Sequence, residues 1–176
     1  MIDLLGKGWV TAPQLQESLQ EHGLFTHKDD IYTFVRRYDQ DSDGRFVYSD
    51  FCDAFTPRIP YYSNILAFRH ADFLHRHNLP KYNYFSNETR NIFLKCFRVH
   101  FEIEESIELI KKRLARRPKF NFGNAFAYLD SLENGFITIE SLRKVLQENK
   151  YHMTDDDILK LMHRFDKNKN GRVAYH

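Results

Sequence analysis

Asp39-Gln40-Asp41-Ser42-Asp43-Gly44-Arg45-Phe46-Val47-Tyr48-Ser49-Asp50 sets three carboxylates at every second position and follows them at once with glycine. A hard dication takes roughly six to eight oxygens, and positions 1, 3 and 5 of a tight loop can turn theirs to one centre. Gly44, at position 6, permits a bend that a side chain would oppose. Arg45 would give its backbone carbonyl from position 7, Phe46 would anchor the loop to a core, and Asp50 would close the shell from position 12. The stretch therefore reads as a calcium-binding loop. Aspartate is one methylene shorter than glutamate, so Asp50 reaches an ion less easily with both oxygens, which lowers the expected calcium affinity and relatively favours octahedral magnesium.

A solvated Asp-rich turn would have the same local composition, but repetition along the chain argues against it. Asp166-Lys167-Asn168-Lys169-Asn170-Gly171-Arg172-Val173-Ala174-Tyr175-His176 keeps the order, with amides at positions 3 and 5. The ligand set expected there is Asp166, Asn168, Asn170 and the Arg172 carbonyl. The shift of 127 residues that joins Asp39 to Asp166 also overlays Ile31 on Ile158, Arg37 on Arg164 and Tyr48 on Tyr175. It further overlays Asp3, Leu5, Lys7, Gly8, Trp9, Val10, Thr11 and Gln14 on Asp130, Leu132, Asn134, Gly135, Phe136, Ile137, Thr138 and Ser141. These last two loops, 3–14 and 130–141, keep the shape and lose the oxygens. In each half, 36 residues separate the loop starts (3 to 39, and 130 to 166).

The four loops resemble those of the EF-hand superfamily, over about residues 1–56 and 120–176. The resemblance implies an all-α fold of two EF-hand pairs, each with one degenerate loop and one ligand-bearing loop. Val10 and Ile137 would meet Phe46 and Val173 in short β contacts between paired loops. The expected domains are an N-terminal pair (1–56), a helical linker region (57–119) and a C-terminal pair (120–176). Loop 1 has no entering helix, and loop 4 stops before position 12. The chain accordingly reads as a piece of a longer one whose fourth loop binds calcium weakly.

Composition agrees with two small soluble domains: 42% hydrophobic residues, including 16 Phe and 10 Tyr, supply real cores. No run approaches a membrane span and no targeting peptide is visible. Cys52 and Cys96 are too few for a disulfide framework, so both are expected as reduced thiols in an intracellular, cytoplasmic protein.

Helix signals place the loops. Thr11 with Gln14 forms a capping-box pattern, Thr26 and Asp29 start the helix entering loop 2, and Thr154 starts the one entering loop 4. Between the pairs, Pro60 opens an expected amphipathic helix running to about His77. The aromatic loop Leu79–Phe85 follows, with Tyr82, Tyr84 and Phe85. Ser86 or Asn87 then caps a helix over about 88–115, which would span about 42 Å at ~1.5 Å per residue. Its expected seam is Phe93, Cys96, His100, Ile103, Ile107, Ile110 and Leu114. That seam serves either intramolecular packing or a partner protein.

Beyond it, Lys111-Lys112-Arg113-Leu114-Ala115-Arg116-Arg117-Pro118-Lys119 is strongly basic, within a chain of net charge only +2. Such cations either offset a helix C-terminus or meet an acidic partner such as a tubulin surface, an axonemal protein or an acidic lipid headgroup. Nucleic acid is not the expected partner, since no groove-reading motif accompanies them. His70, His75 and His77 are separated by five, two and seven residues, not the three or four of a helical ligand pair. Neither a phosphate loop nor a nucleophile motif is present, so the chain reads as a non-enzyme.

Two functional classes remain. One is a calmodulin-like calcium sensor that opens an apolar groove for target helices; a chain with only three Met offers it little adaptable surface. The other is a structural or regulatory partner-binding module. Its order of paired hands, long helix and basic segment looks like that of EF-hand proteins of the cilium and other microtubule cytoskeletons.

Overall fold

The computed structural model describes residues 2–3, 6–69, 84–166 and 168–175. The chain divides into two compact units, Met1–Ile110 and Lys111–His176. Among the described residues, no helix is long and apolar enough to cross a membrane.

In the first unit, strand β1 (Trp9–Thr11) leads into helix α1 (Ala12–Glu21), and α2 (Lys28–Tyr38) runs into the loop at Asp39. Strand β2 (Arg45–Val47) follows, then α3 (Tyr48–Phe55), α4 (Pro60–Ala67) and the long α5 (Asn87–Ala115), which belongs to this unit as far as Ile110. The two strands pair antiparallel, with Val10 opposite Phe46. Both of these side chains are buried. Leu15 and Leu19 of α1 and Ile31, Phe34 and Val35 of α2 recur at three- and four-residue steps, so each helix lays one apolar stripe into the core.

Helix starts follow local chemistry. Gln14 Oε1 accepts from the Thr11 backbone N–H at 2.9 Å, which satisfies a donor at the start of α1. At α2 the expected Thr26 start is corrected: the helix begins after His27, and the buried Thr26 hydroxyl makes no hydrogen bond. Acidic Asp29 and Asp30 in the first turn instead complement the helix dipole.

The long helix differs from its expected seam. Of that seam Phe93 and His100 do pack on the core, but the buried positions are Phe97, Phe101 and Glu104, whereas Cys96, Ile103, Ile110 and Leu114 are exposed. Phe97 stacks at 4.7 Å from Phe55 and 5.6 Å from Phe34, and Phe101 meets the edge of Phe34 at 5.5 Å. Phe97 and Phe101 join Phe34 and Phe46 as the buried aromatic side chains of a core otherwise built largely from aliphatic residues of β1, α1 and α2. The first half of α5 is thus part of this unit's core rather than a spacer beside it.

Helix α4 has Pro60 at its first turn as expected, but none of its residues is buried. The helix ends at Ala67 with Phe68 as its C-cap, short of the expected end near His77. The three histidines and most of the aromatic loop, Tyr82 included, lie outside the described residues.

The second unit contains α6 (Phe122–Leu129), β3 (Phe136–Ile137), α7 (Ile139–Glu148), α8 (Asp155–Phe165) and β4 (Val173–Ala174). Its strands also pair antiparallel, Ile137 opposite Val173. Ile137, Leu142, Ile158 and Met162 form its core, and Phe126, Leu129, Leu146 and Leu161 pack around them. Thr154 caps α8, its Oγ1 accepting from the Asp157 N–H at 3.2 Å.

Candidate metal centre

Helix α2 ends at Tyr38 and hands Asp39 to the loop in an extended conformation. The Asp39 carboxylate then organises the turn: Oδ1 accepts from the Asp43 N–H at 3.2 Å and Oδ2 from the Gly44 N–H at 2.9 Å. Gly44 has φ +78°, the left-handed backbone that glycine adopts without a Cβ clash. Asp43 Oδ1 in turn accepts from the Arg45 N–H at 2.8 Å, turning the chain into β2.

Oxygens of Asp39, Asp41 and Asp43 lie within 4.8 Å of one another. Ligands on opposite sides of a calcium ion at about 2.4 Å are about that far apart, so one ion could touch all three. The donors are hard oxygens, and the residues present fit a hard divalent cation. Asp50 stands outside this trio. It is buried on the first turn of α3, and its Oδ2 accepts from the Val47 N–H at 3.0 Å.

Charge crowding is visible in the ionisation of the site. Burial pushes the Asp50 carboxyl above its usual range, the Val47 N–H opposes this, and the charges of Asp39, Asp41 and Asp53 add to the rise. At Asp39 burial acts in the same upward sense, but hydrogen bonds from Gly44, Asp41, Asp43 and Ser42 outweigh it and hold the group below the usual range.

Asp166 repeats the frame in the second unit, accepting from the N–H groups of Asn170 at 3.2 Å and Gly171 at 2.6 Å. Asn170 Oδ1 accepts from the Arg172 N–H at 3.0 Å. With Asn168 and Asn170 both exposed amides, Asp166 is the only carboxylate at the first five positions of this loop. No trio like that of the first unit forms there among the described residues.

The loops without ligands keep the same frame. Asp130 accepts from Asn134 and Gly135, and Asp3 accepts from Gly8 at 2.7 Å. Position 12 also keeps a role in them. Ser141 Oγ accepts from the Thr138 N–H at 2.9 Å and Gln14 from the Thr11 N–H, as Asp50 does from Val47. The sequence signal for this was the position-9 to position-12 pairing, legible at Thr11 and Gln14 but hidden at Val47 by its apolar side chain.

Position 7 carries a contact that ligand spacing does not report. The Arg45 guanidinium lies 4.6 Å from the Trp9 ring centre, and its Nε is 3.5 Å from Asp43 Oδ2. In the second unit Arg172 lies 5.3 Å from the ring of Phe136.

Residues 119–176 match the family model of the EF-hand domain pair. Across the whole length, the chain is 18% identical over 176 residues to a human protein described as EF-hand calcium-binding domain-containing protein 6, an alignment covering 98% of this chain and 10% of that protein. The chain thus spans about a tenth of the length of this curated relative.

Proposed function

We propose that this chain is a calcium-binding module of two EF-hand pairs, with its stronger site in the loop 39–50. The convergence of Asp39, Asp41 and Asp43 oxygens within 4.8 Å carries this reading. The Arg45 carbonyl and Asp50 complete that ligand set; Asp166, Asn168, Asn170 and the Arg172 carbonyl form a weaker one. Magnesium competes at the first site because Asp50 is short for bidentate reach. Calorimetric titration with calcium tests the assignment: Asp39→Asn should abolish the tighter transition, and a titration that shows none in the wild type would refute it.

Calcium here serves a structural or regulatory partner-binding role, rather than opening a groove in the first unit as a calmodulin-like sensor would. Phe97 and Phe101 of α5 support this, because they already occupy the apolar face between α2 and α3. The exposed basic segment 111–119 is the partner-facing element, suited to an acidic protein surface such as tubulin or an axonemal protein in a cytoskeletal or ciliary assembly. Microtubule co-sedimentation that survives chelation and is lost on neutralising Lys111, Lys112, Arg113, Arg116, Arg117 and Lys119 would support this role. A calcium-dependent rise in binding of an apolar dye would favour the sensor instead.

A further inference from the structure

Arg45 contacts Asp43 of the first site twice and Trp9 of the neighbouring loop once. Its backbone N–H donates to Asp43 Oδ1 at 2.8 Å, and its side-chain Nε lies 3.5 Å from Oδ2 of the same carboxylate. The guanidinium also lies over the ring of Trp9. Trp9 is opposite Val47 and Arg45 is opposite Thr11 in the antiparallel register. Trp9 and Arg45 are therefore diagonal neighbours on the outer face of the strand pair, a spacing that long and aromatic side chains bridge.

The second unit supplies an internal comparison. Arg172 occupies the same position 7 and lies over Phe136, the position-7 aromatic of its own degenerate loop. The residue at position 5 is Asn170, so no carboxylate there faces the guanidinium. Stacking thus comes with the strand register, whereas the ion pair is particular to the loop 39–50.

We infer that Arg45 sets the affinity of the loop 39–50 by acting as an internal competitor: its guanidinium rests between Asp43 and the Trp9 ring, and an arriving dication must displace it from Asp43. The ligand-free loop then has a task, since it supplies the aromatic surface on which the displaced guanidinium stays. This rests on the reading that the loop 39–50 takes calcium. The ligand expected from position 7 is the backbone carbonyl, so changing the side chain leaves the oxygen set intact.

Trp9 is the chain's single tryptophan and lies beside this loop, so its emission follows this site and not the second one. The test is calcium titration of the whole chain, followed by Trp9 fluorescence and by calorimetry, with far-ultraviolet circular dichroism checking the fold of each variant. Arg45→Gln should tighten binding about three- to ten-fold, the size of removing one partly solvated cation near a dication, and the gain should shrink at high ionic strength. Arg45→Met, which keeps aliphatic contact with Trp9, should tighten binding to the same extent. Lys7→Gln removes the other cation over Trp9, 5.3 Å from the ring centre, and should change affinity by less than about two-fold, because Lys7 does not pair with Asp43.

Wild-type binding with unchanged or weaker affinity in both Arg45 variants would overturn the competitor role and leave the calcium reading standing. An equal gain from Lys7→Gln would overturn it too, by reducing the effect to net charge. Absence of calcium binding in wild type and variants alike would overturn both.

Discussion

The Nε of Arg37 lies 3.2 Å from Oε1 of Glu104, a carboxylate whose side chain is only 7% exposed. This pair ties the end of α2, just before the loop 39–50, to the middle of α5. One turn away, Tyr38 Oη and His100 Nδ1 are 3.2 Å apart, linking the same two helices. Removing the arginine leaves a buried carboxylate short of a cation, a larger effect than losing an exposed pair. Arg37→Met should cost about 2 kcal/mol, below the range for a fully buried pair because Arg37 keeps some water contact. Urea unfolding of the first unit's transition measures it, and a change under about 0.5 kcal/mol, typical of surface substitutions, would show that the pair does not anchor α5.

Phe97 has no solvent exposure and touches rings from α2 and α3. Truncation to alanine should destabilise the first unit by about 3–5 kcal/mol, the usual cost of a large core cavity. Ile110, 62% exposed on the same helix, should tolerate the same change within about 0.5 kcal/mol. Reversal of this order would return the buried face of α5 to the aliphatic seam.

Asp50→Glu should tighten calcium binding at the loop 39–50, since the added methylene lets both oxygens reach the ion. Its effect on magnesium should be smaller. Weaker calcium affinity in calorimetry would mean that the hydrogen bond from Val47 to position 12, not reach, governs this ligand.

Thr154→Ala should lower the stability of the second unit by about 1 kcal/mol, the usual loss for an N-cap. The pH dependence carries a sign. The Thr154 hydroxyl is the main cause that holds the Asp157 carboxyl below its usual range, with burial opposing and Lys160 assisting. A depressed carboxylate stabilises the fold above its unfolded pKa of about 3.9, and that contribution is lost as pH falls through the lower folded value. The difference between wild type and variant should therefore be full above about pH 4 and narrow below it. Thermal unfolding at a series of pH values gives the comparison; a gap that widens in acid would contradict the assignment.

Much of this architecture was legible because it is built from short-range rules. Glycine at position 6 marks each turn, and the resemblance to paired EF-hand loops implied Val10 opposite Phe46 and Ile137 opposite Val173, as the strand register has them. The buried face of α5 was not legible in the same way. Cys96 and Ile103 satisfy a helical seam as well as Phe97 and Phe101 do, and only the rings of Phe34 and Phe55 decide between them; Phe93, also on the expected seam, does pack on Phe55. Thr26 misled for a local reason, since its hydroxyl matched a cap pattern while the helix began one residue later. The Arg45–Trp9 contact was hidden because it joins residues 36 apart in sequence through strand register alone.

Loop 130–141 shows that the turn and the cage are separable. Asp130 still gathers the amides of Asn134 and Gly135, and Ser141 still holds Thr138, although Leu132 offers no oxygen side chain. The frame is a blank awaiting donors: Leu132→Asp with Ser141→Glu would supply the missing oxygens without asking the backbone to learn a new path. By that expectation the loop 130–141 stands two side chains from the ligand set proposed for the loop 39–50.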